Sequence, residues 1–177
     1  MLEFKTLMKE VNEIGKSYEI PEGSMGAQRN IHLKSYSEII AEIHRLQSEG
    51  YQKGGNWSLG QICSHLNYYM QGSLDGYGKK MLPWIVRVSF GNFVKKALMK
   101  TAIYKPGQMT DPDSVPGADS GESEEISKAI QSLQRLEKED SPLHFSPLMG
   151  ELSREEWNSI HINHANHHLS FLHPVQK

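Results

Sequence analysis

Apolar residues return at three- and four-residue intervals in stretch after stretch of the chain, the spacing of a helix with one buried face. Leu7, Val11 and Ile14 predict a short leading helix, and the breaker-rich run Pro21-Glu22-Gly23-Ser24-Met25-Gly26 predicts a loop behind it. Ile39, Ile40, Ile43 and Leu46 predict the next helix, with Ser35 and Glu38 spaced as a capping box in front and Gly50 as the stop. A third covers Trp57 to Asp75. Ser58 and Gln61 can exchange backbone and side-chain bonds at its start, Trp57 stands where a staple onto Ile62 would, and Gly76 and Gly78 end it. Its stripe is Leu59, Ile62, Leu66, Tyr69 and Ser73, with His65 at the edge and turned inward.

Between Met81 and Tyr104, Phe90, Phe93, Val94, Ala97 and Leu98 keep helical period among Arg87, Lys95, Lys96 and Lys100. Four cations exclude a bilayer span. The expected reading is a helix packed on the core with its lysines in water; the alternative is a basic amphipathic helix on a membrane surface. From Lys105 to Glu122, Pro106-Gly107, Pro112 and Pro116-Gly117 interrupt any pattern, so a mobile loop is expected. Ile126, Ile130, Leu133 and Leu136 predict a further helix, stopped at Asp140-Ser141-Pro142. Ser153 and Glu156 open the last one, expected to run to Pro174. No alternation of strand period and no internal repeat is visible, so the expected fold class is all-α. Residues 1–28 read as an N-terminal helical extension and loop, and 29–177 as the helical unit that carries the chemistry.

Composition narrows the function. A chain of 177 residues can bury a core without disulfides, and its one cysteine, Cys63, cannot form one internally. Cys63 lies about 200° around its helix from His65, which predicts a buried, inert thiol. Nineteen basic against twenty-one acidic side chains give no positive field for phosphate backbones, so nucleic acid is not an expected partner, and neither is a membrane. Lys and Glu break every apolar run near the N-terminus, so no signal peptide is read there and a reducing, cytoplasmic setting is expected.

What stands out is nitrogen: nine histidines beside one thiol. His161, His164, His167 and His168 fall within eight residues of the last helix. With His164 at zero and about 100° per residue, Trp157, His168 and His161 lie near 20°, 40° and 60°, and His167 near −60°. Imidazoles four residues apart converge on one point, as in helical zinc sites, and a third ligand must come from another helix. His65 is the remaining histidine that is both mid-helix and on an apolar stripe, which gives His65, His164 and His168 as candidate metal ligands. The competing reading is a set of core histidines bonded to backbone or to one another, which leaves several buried imidazoles to be satisfied.

His161 could replace one ligand or hold outer atoms behind the site; His167, Tyr69 and Trp57 are further candidates to line or support it. No catalytic residue is identified, although Asp75, Tyr69 or His161 could act as a base. Zinc is the first metal expected, with nickel, iron and copper also suited to neutral imidazole. Ile162, Ala165 and Leu169 lie opposite the histidines, so the last helix must be buried twice, by another helix or by a second subunit in a homodimer.

The run Trp57-Ser58-Leu59-Gly60-Gln61-Ile62-Cys63-Ser64-His65-Leu66 and the later His161-Ile162-Asn163-His164-Ala165-Asn166-His167-His168-Leu169-Ser170-Phe171-Leu172 together resemble the DinB/YfiT-like superfamily. More narrowly, they are similar to its domain-of-unknown-function family 1569, as are Arg29, Ser73-Leu74-Asp75-Gly76 and the run from Pro147 to Ser153. The resemblance covers roughly residues 29 to 174. It implies an up-and-down four-helix bundle with a three-histidine metal site at His65, His164 and His168. It also implies thiol-dependent transferase or isomerase chemistry, in which a low-molecular-weight thiol meets a small-molecule substrate at the metal. The sequence departs from many relatives at Ser146, where a histidine often stands, and at Met149, where an aromatic does. An open three-histidine site gives a metal-dependent transferase or hydrolase acting on a small molecule as the first function expected, and a non-catalytic bundle in which an ion ties two helices together, or a small ligand is bound, as the alternative.

Overall fold

A computed structural model describes residues 28–100, 111–117 and 121–175. The predicted leading helix over Leu7, Val11 and Ile14, the loop at 21–26, and the parts of the Lys105–Glu122 run at 105–110 and 118–120 lie outside the described residues.

Capping residues set the helix starts as the sequence predicts. Helix α1 (Tyr36–Glu49) begins on Ser35, whose Oγ accepts from the Glu38 amide at 3.2 Å. The Glu38 carboxylate reaches past the cap to the Lys34 amide at 2.7 Å, so the box closes one residue early. Helix α2 (Leu59–Asp75) and the last helix carry complete boxes, Ser58 with Gln61 and Ser153 with Glu156, each with contacts of 3.2 and 2.9 Å. These two helices hold the candidate histidines, and a pinned first turn fixes the phase of every later side chain.

The remaining helices are α3 (Trp84–Val86), α4 (Asn92–Lys100), α5 (Glu122–Glu137) and α6 (Arg154–Leu169). Helix α2 packs chiefly along α5, and α1 lies against α5 as well. Gly60 permits the close approach of α2 to the start of α5: a Cβ there would stand 2.8 Å from the Glu122 Cα. The core takes Ile39, Ile43 and Leu46 from α1, Leu59, Ile62 and Leu66 from α2 and Ile126, Leu133 and Leu136 from α5, all on predicted stripes, and adds Met70 and Leu74, which the predicted α2 stripe does not include. One polar contact is sealed within it, Ser132 Oγ donating to Asn67 Oδ1 at 2.7 Å.

Helix α6 is buried on two sides, as its pattern requires. Ala165 and Leu169 join the core with Ile162 packed against it, while Trp157 and His161 are buried elsewhere on the helix. The chain covers the first side itself: Asn166 brackets Leu33, accepting from its N–H and donating to its C=O, each at 2.8 Å. That stripe therefore calls for no second subunit.

Four expectations are corrected. The last helix stops at Leu169 rather than near Pro174, because Ser170 turns back to the His167 carbonyl at 2.6 Å and the chain then extends. Strand β2 (Leu172–Pro174) pairs antiparallel with β1 (Tyr51–Lys53), Tyr51 opposite Pro174 and Lys53 opposite Leu172. Three-residue strands are too short to show alternation.

The run 84–100 is helical, but it does not face the core. No residue of α3 or α4 is buried, and Trp84, Ile85, Val88 and Phe93 are exposed. Polar links tie it to α6, Lys95 to Glu156 at 2.9 Å and Asn163 Nδ2 to the Leu98 and Met99 carbonyls at 2.9 and 3.2 Å, while Val94, Ala97 and Leu98 are half-buried. Periodicity reports an apolar face and not whether room remains for it in the core. No helix among the described residues is long and apolar enough to cross a membrane.

The expected mobile loop contains an ordered turn at Pro112–Ser114. Asp111 caps it, accepting from the Asp113 amide at 3.1 Å, and Ser114 is buried.

Candidate metal centre

His65 sits in mid-α2, and His164 and His168 are one turn apart on α6. Their Nε2 atoms converge: His65 to His164 at 3.1 Å and His164 to His168 at 3.0 Å. One nitrogen from each lies within 4.8 Å of the others, the only such group of three potential ligand side chains among the described residues. Two chain-distant helices thus bring together the three rings singled out in the sequence.

The Nδ1 of His65 lies 2.8 Å from the Ser114 carbonyl. A carbonyl can only accept, so Nδ1 carries the proton and Nε2 turns a lone pair toward the other two rings. Burial pushes His65 down to about 4, against the opposing pull of the Ser114 carbonyl. His164 and His168 are held well below the ordinary imidazole value by burial first and then by neighbouring rings. All three are therefore neutral at pH 7, the form that donates to a cation. Nitrogens about 2.0–2.1 Å from a tetrahedral ion stand roughly 3.3 Å apart, close to two of the three spacings here, His65–His164 and His164–His168. Three inward-facing nitrogens cannot satisfy one another without a proton or a cation between them, so the donor set could hold a metal ion.

Aromatic rings wall the group. Trp57 stacks on His168, with centroids 5.4 Å apart, and tilts over His65 at 4.8 Å; Tyr69 stands edge-on to His65 and His164 at 5.3 and 5.1 Å. The Tyr69 hydroxyl meets Ser114 Oγ at 3.2 Å and accepts from the Asp111 amide at 3.3 Å. Asp111 in turn takes Lys79 at 2.7 Å and Tyr68 at 2.9 Å. Burial raises the Asp111 pKa, but the hydrogen bonds from Lys79 and Tyr68 outweigh it and hold the carboxyl below its usual range. The capped turn that aims His65 was missed in the sequence, where its only trace is Asp-Pro-Asp-Ser, a helix-start pattern inside a proline-rich run.

His161 is not part of the triad. Ser73 Oγ donates to the Met70 carbonyl at 2.8 Å and so accepts from His161 Nε2 at 2.9 Å, while the ring stacks on Trp157 at 5.2 Å. His167 backs the cluster: its Nδ1 is 3.3 Å from the Gln28 amide and its ring is edge-on to His168 at 4.8 Å. Asp75 is clamped by Arg135 at 2.6 and 2.9 Å on the exposed surface. Asp75 and the Tyr69 hydroxyl are therefore engaged away from the triad, and the Nε2 of His161 is spent on Ser73. Ser146 closes a turn, exchanging backbone bonds with Gly150 at 2.8 Å and accepting from the Met149 amide at 3.1 Å. Cys63 is buried and its thiol is pushed up to about 12 by burial and then by Glu122 and Glu125, the inert state expected of it. His32, His44 and His144 are exposed.

The burial of His161 has a measurable consequence. Desolvation lowers its folded-state pKa to about 3, whereas an unfolded histidine titrates near 6.5. Between those values the unfolded chain binds the extra proton, so stability is fully present above about pH 6.5 and falls by about 1.4 kcal/mol per pH unit below it. Urea unfolding in chelator at pH 7.5 and 5.5 is expected to show a pH dependence shallower by one proton in His161→Gln. Equal dependence would mean that the ring is already charged in the folded state.

No curated protein and no solved structure matches the chain. The model of the family described as "Protein of unknown function (DUF1569)" matches residues 25–175, a span that includes both histidine-bearing helices and the Arg29, Ser73–Gly76 and Pro147–Ser153 segments, and the chain belongs to that family.

Proposed function

We propose that this chain is a divalent-metal-dependent enzyme of the DinB/YfiT-like superfamily. In this reading α1, α2, α5 and α6 form an up-and-down four-helix bundle, and His65, His164 and His168 bind one ion, zinc first and nickel or iron next. The observation that carries it is the meeting of three neutral imidazoles from two helices, the His164 Nε2 standing 3.1 Å from that of His65 and 3.0 Å from that of His168. Three protein ligands leave a four-coordinate ion one open position, and His164 and His168 are half-buried rather than sealed.

An ion held there would bring a bound water or thiol close to neutral pKa and so supply a nucleophile at pH 7. The protein's own contribution is orientation and shelter: Ser114 sets the His65 tautomer, and the Trp57 and Tyr69 rings shield one side from water. With Asp75 and the Tyr69 hydroxyl engaged elsewhere, the proton passes to solvent. In the working reaction a low-molecular-weight thiol gives up that proton, its sulfur bonds to an electrophilic carbon, and the leaving group departs from that carbon. The thiol rests on the superfamily resemblance. The engagement of Asp75 by Arg135 and of the Tyr69 hydroxyl by Ser114 and Asp111 favours one second reading, a non-catalytic bundle that binds a metal or small ligand.

A turnover screen separates the two. Metal-loaded, untagged protein is incubated with cysteine-derived thiols and a panel of alkyl and aryl halides, epoxides and simple esters. Metal-dependent consumption that is lost in His168→Ala is the expected result. Stoichiometric metal with no consumption of any pair would support the binding reading.

A further inference from the structure

Six of the nineteen basic residues, Lys79, Lys80, Arg87, Lys95, Lys96 and Lys100, and none of the twenty-one acidic ones fall between positions 79 and 100. The same run holds Met81, Trp84, Ile85, Val88, Phe90 and Phe93, all exposed, with Trp84 at 66% and Phe93 at 70%. A concentration of large apolar groups in water marks a surface meant to be covered.

The apolar groups form a line. Trp84 and Val88 are one α-turn apart. From Val88 to Phe93 is five residues, and the π turn Arg87–Gly91 absorbs the extra one, keeping Phe93 on the same side. Lys96 and Lys100 continue that line and are exposed, and Lys80 is exposed before its start. Lys79 and Lys95 are committed to Asp111 and Glu156.

The line is held in place from behind. The Leu82 amide donates to the Pro147 carbonyl at 2.9 Å and Arg87 Nε to the Leu82 carbonyl at 3.0 Å. Gly91 presses so close to the Leu148 carbonyl that a Cβ would stand 2.3 Å from its oxygen. With Lys95 and Asn163 fixing α4 to α6, the apolar line cannot turn inward without breaking these bonds.

Charge selects the occupant. A second copy joined across a two-fold axis would bring lysines against lysines, which disfavours self-association through this face. A bilayer with anionic headgroups meets both features, hydrocarbon for the line and phosphate for its ends. We propose that residues 79–100 are a peripheral docking surface for an anionic lipid bilayer, with Trp84, Ile85, Val88 and Phe93 entering the headgroup boundary and Lys80, Lys96 and Lys100 lying on the phosphates.

The full chain supplies its own reporter, because Trp84 alone of the three tryptophans is exposed. Phosphatidylcholine vesicles containing phosphatidylserine should sediment the protein and shift its emission to the blue; Trp84→Phe should sediment but lose the shift. Lys96→Gln and Lys100→Gln should each weaken binding about fivefold, and added salt should weaken it further. Phe93→Ser, confirmed as folded by circular dichroism, should weaken it about tenfold or more, the scale of one aromatic group withdrawn from hydrocarbon. Equal binding to pure phosphatidylcholine, no binding to either vesicle, or a blue shift that follows protein concentration without lipid would overturn the proposal, the last by making the cover a second copy.

Discussion

Changing His164 to alanine is expected to reduce zinc affinity by about three orders of magnitude or more. Its Nε2 lies between the other two, 3.1 Å from His65 and 3.0 Å from His168, so its loss removes one donor and breaks both close approaches. Structural zinc sites bind with roughly 10–16 kcal/mol in total, so one ligand carries several kcal/mol, and about 4 kcal/mol corresponds to a thousandfold. His161→Gln, three residues earlier on the same helix, should stay within tenfold of the parent because its ring is directed to Ser73 and Trp157. Competition against a chromogenic chelator measures both. Equal losses in the two variants would mean that the substitutions act through packing of α6 rather than through coordination.

The second large effect is on stability. Arg29→Ala is expected to cost about 3 kcal/mol, at the lower end of what breaking a buried ion pair costs. The Arg29 guanidinium donates to the Glu42 carboxylate, to the Leu172 carbonyl at 2.5 Å and to the Leu169 carbonyl at 3.4 Å. Glu42 is only 7% exposed, and without Arg29 its remaining cation is Arg45 at 3.5 Å, itself half in water. The same substitution strips a donor from the end of α6, where helix carbonyls lack partners of their own. For a chain of this size the cost corresponds to a melting temperature lower by about 6–12 °C. Arg29→Lys should recover only part, since one ammonium cannot span three acceptors held by a planar fork. Calorimetry in excess metal and in chelator separates this loss from any change in metal binding. A shift under about 2 °C in chelator would show that Arg45 or water compensates for the missing guanidinium.

The sequence disclosed what local rules govern. Ser58 with Gln61 and Ser153 with Glu156 mark their helix starts because a cap is a short-range exchange of hydrogen bonds. The stripes from Ile39 to Leu46 and from Leu59 to Leu66 mark the core because helical period is itself local. The pairing of His65 with His164 and His168 was legible because few other histidines stand on an apolar face. His161 was ambiguous: an angular position cannot tell whether a ring meets Ser73 or the triad, which depends on where α2 lies against α6. Ser114 went unseen because a carbonyl acceptor leaves no mark on residue type, and its turn is fixed by Asp111, Tyr68, Tyr69 and Lys79 from separate parts of the chain. The β1–β2 pair joins residues more than a hundred positions apart in strands too short for any pattern. The outward face of 84–100 was misread because a helix's apolar stripe does not report whether the core is already filled.

The most direct measurement is metal content by elemental analysis, on protein made without a histidine tag and dialysed against zinc. One ion per chain is expected for the wild type, and less than about a tenth of that for His65→Ala, whose missing ring comes from the other helix. A His65→Ala protein that keeps a full ion, or a wild type that retains none, would contradict the three-histidine centre.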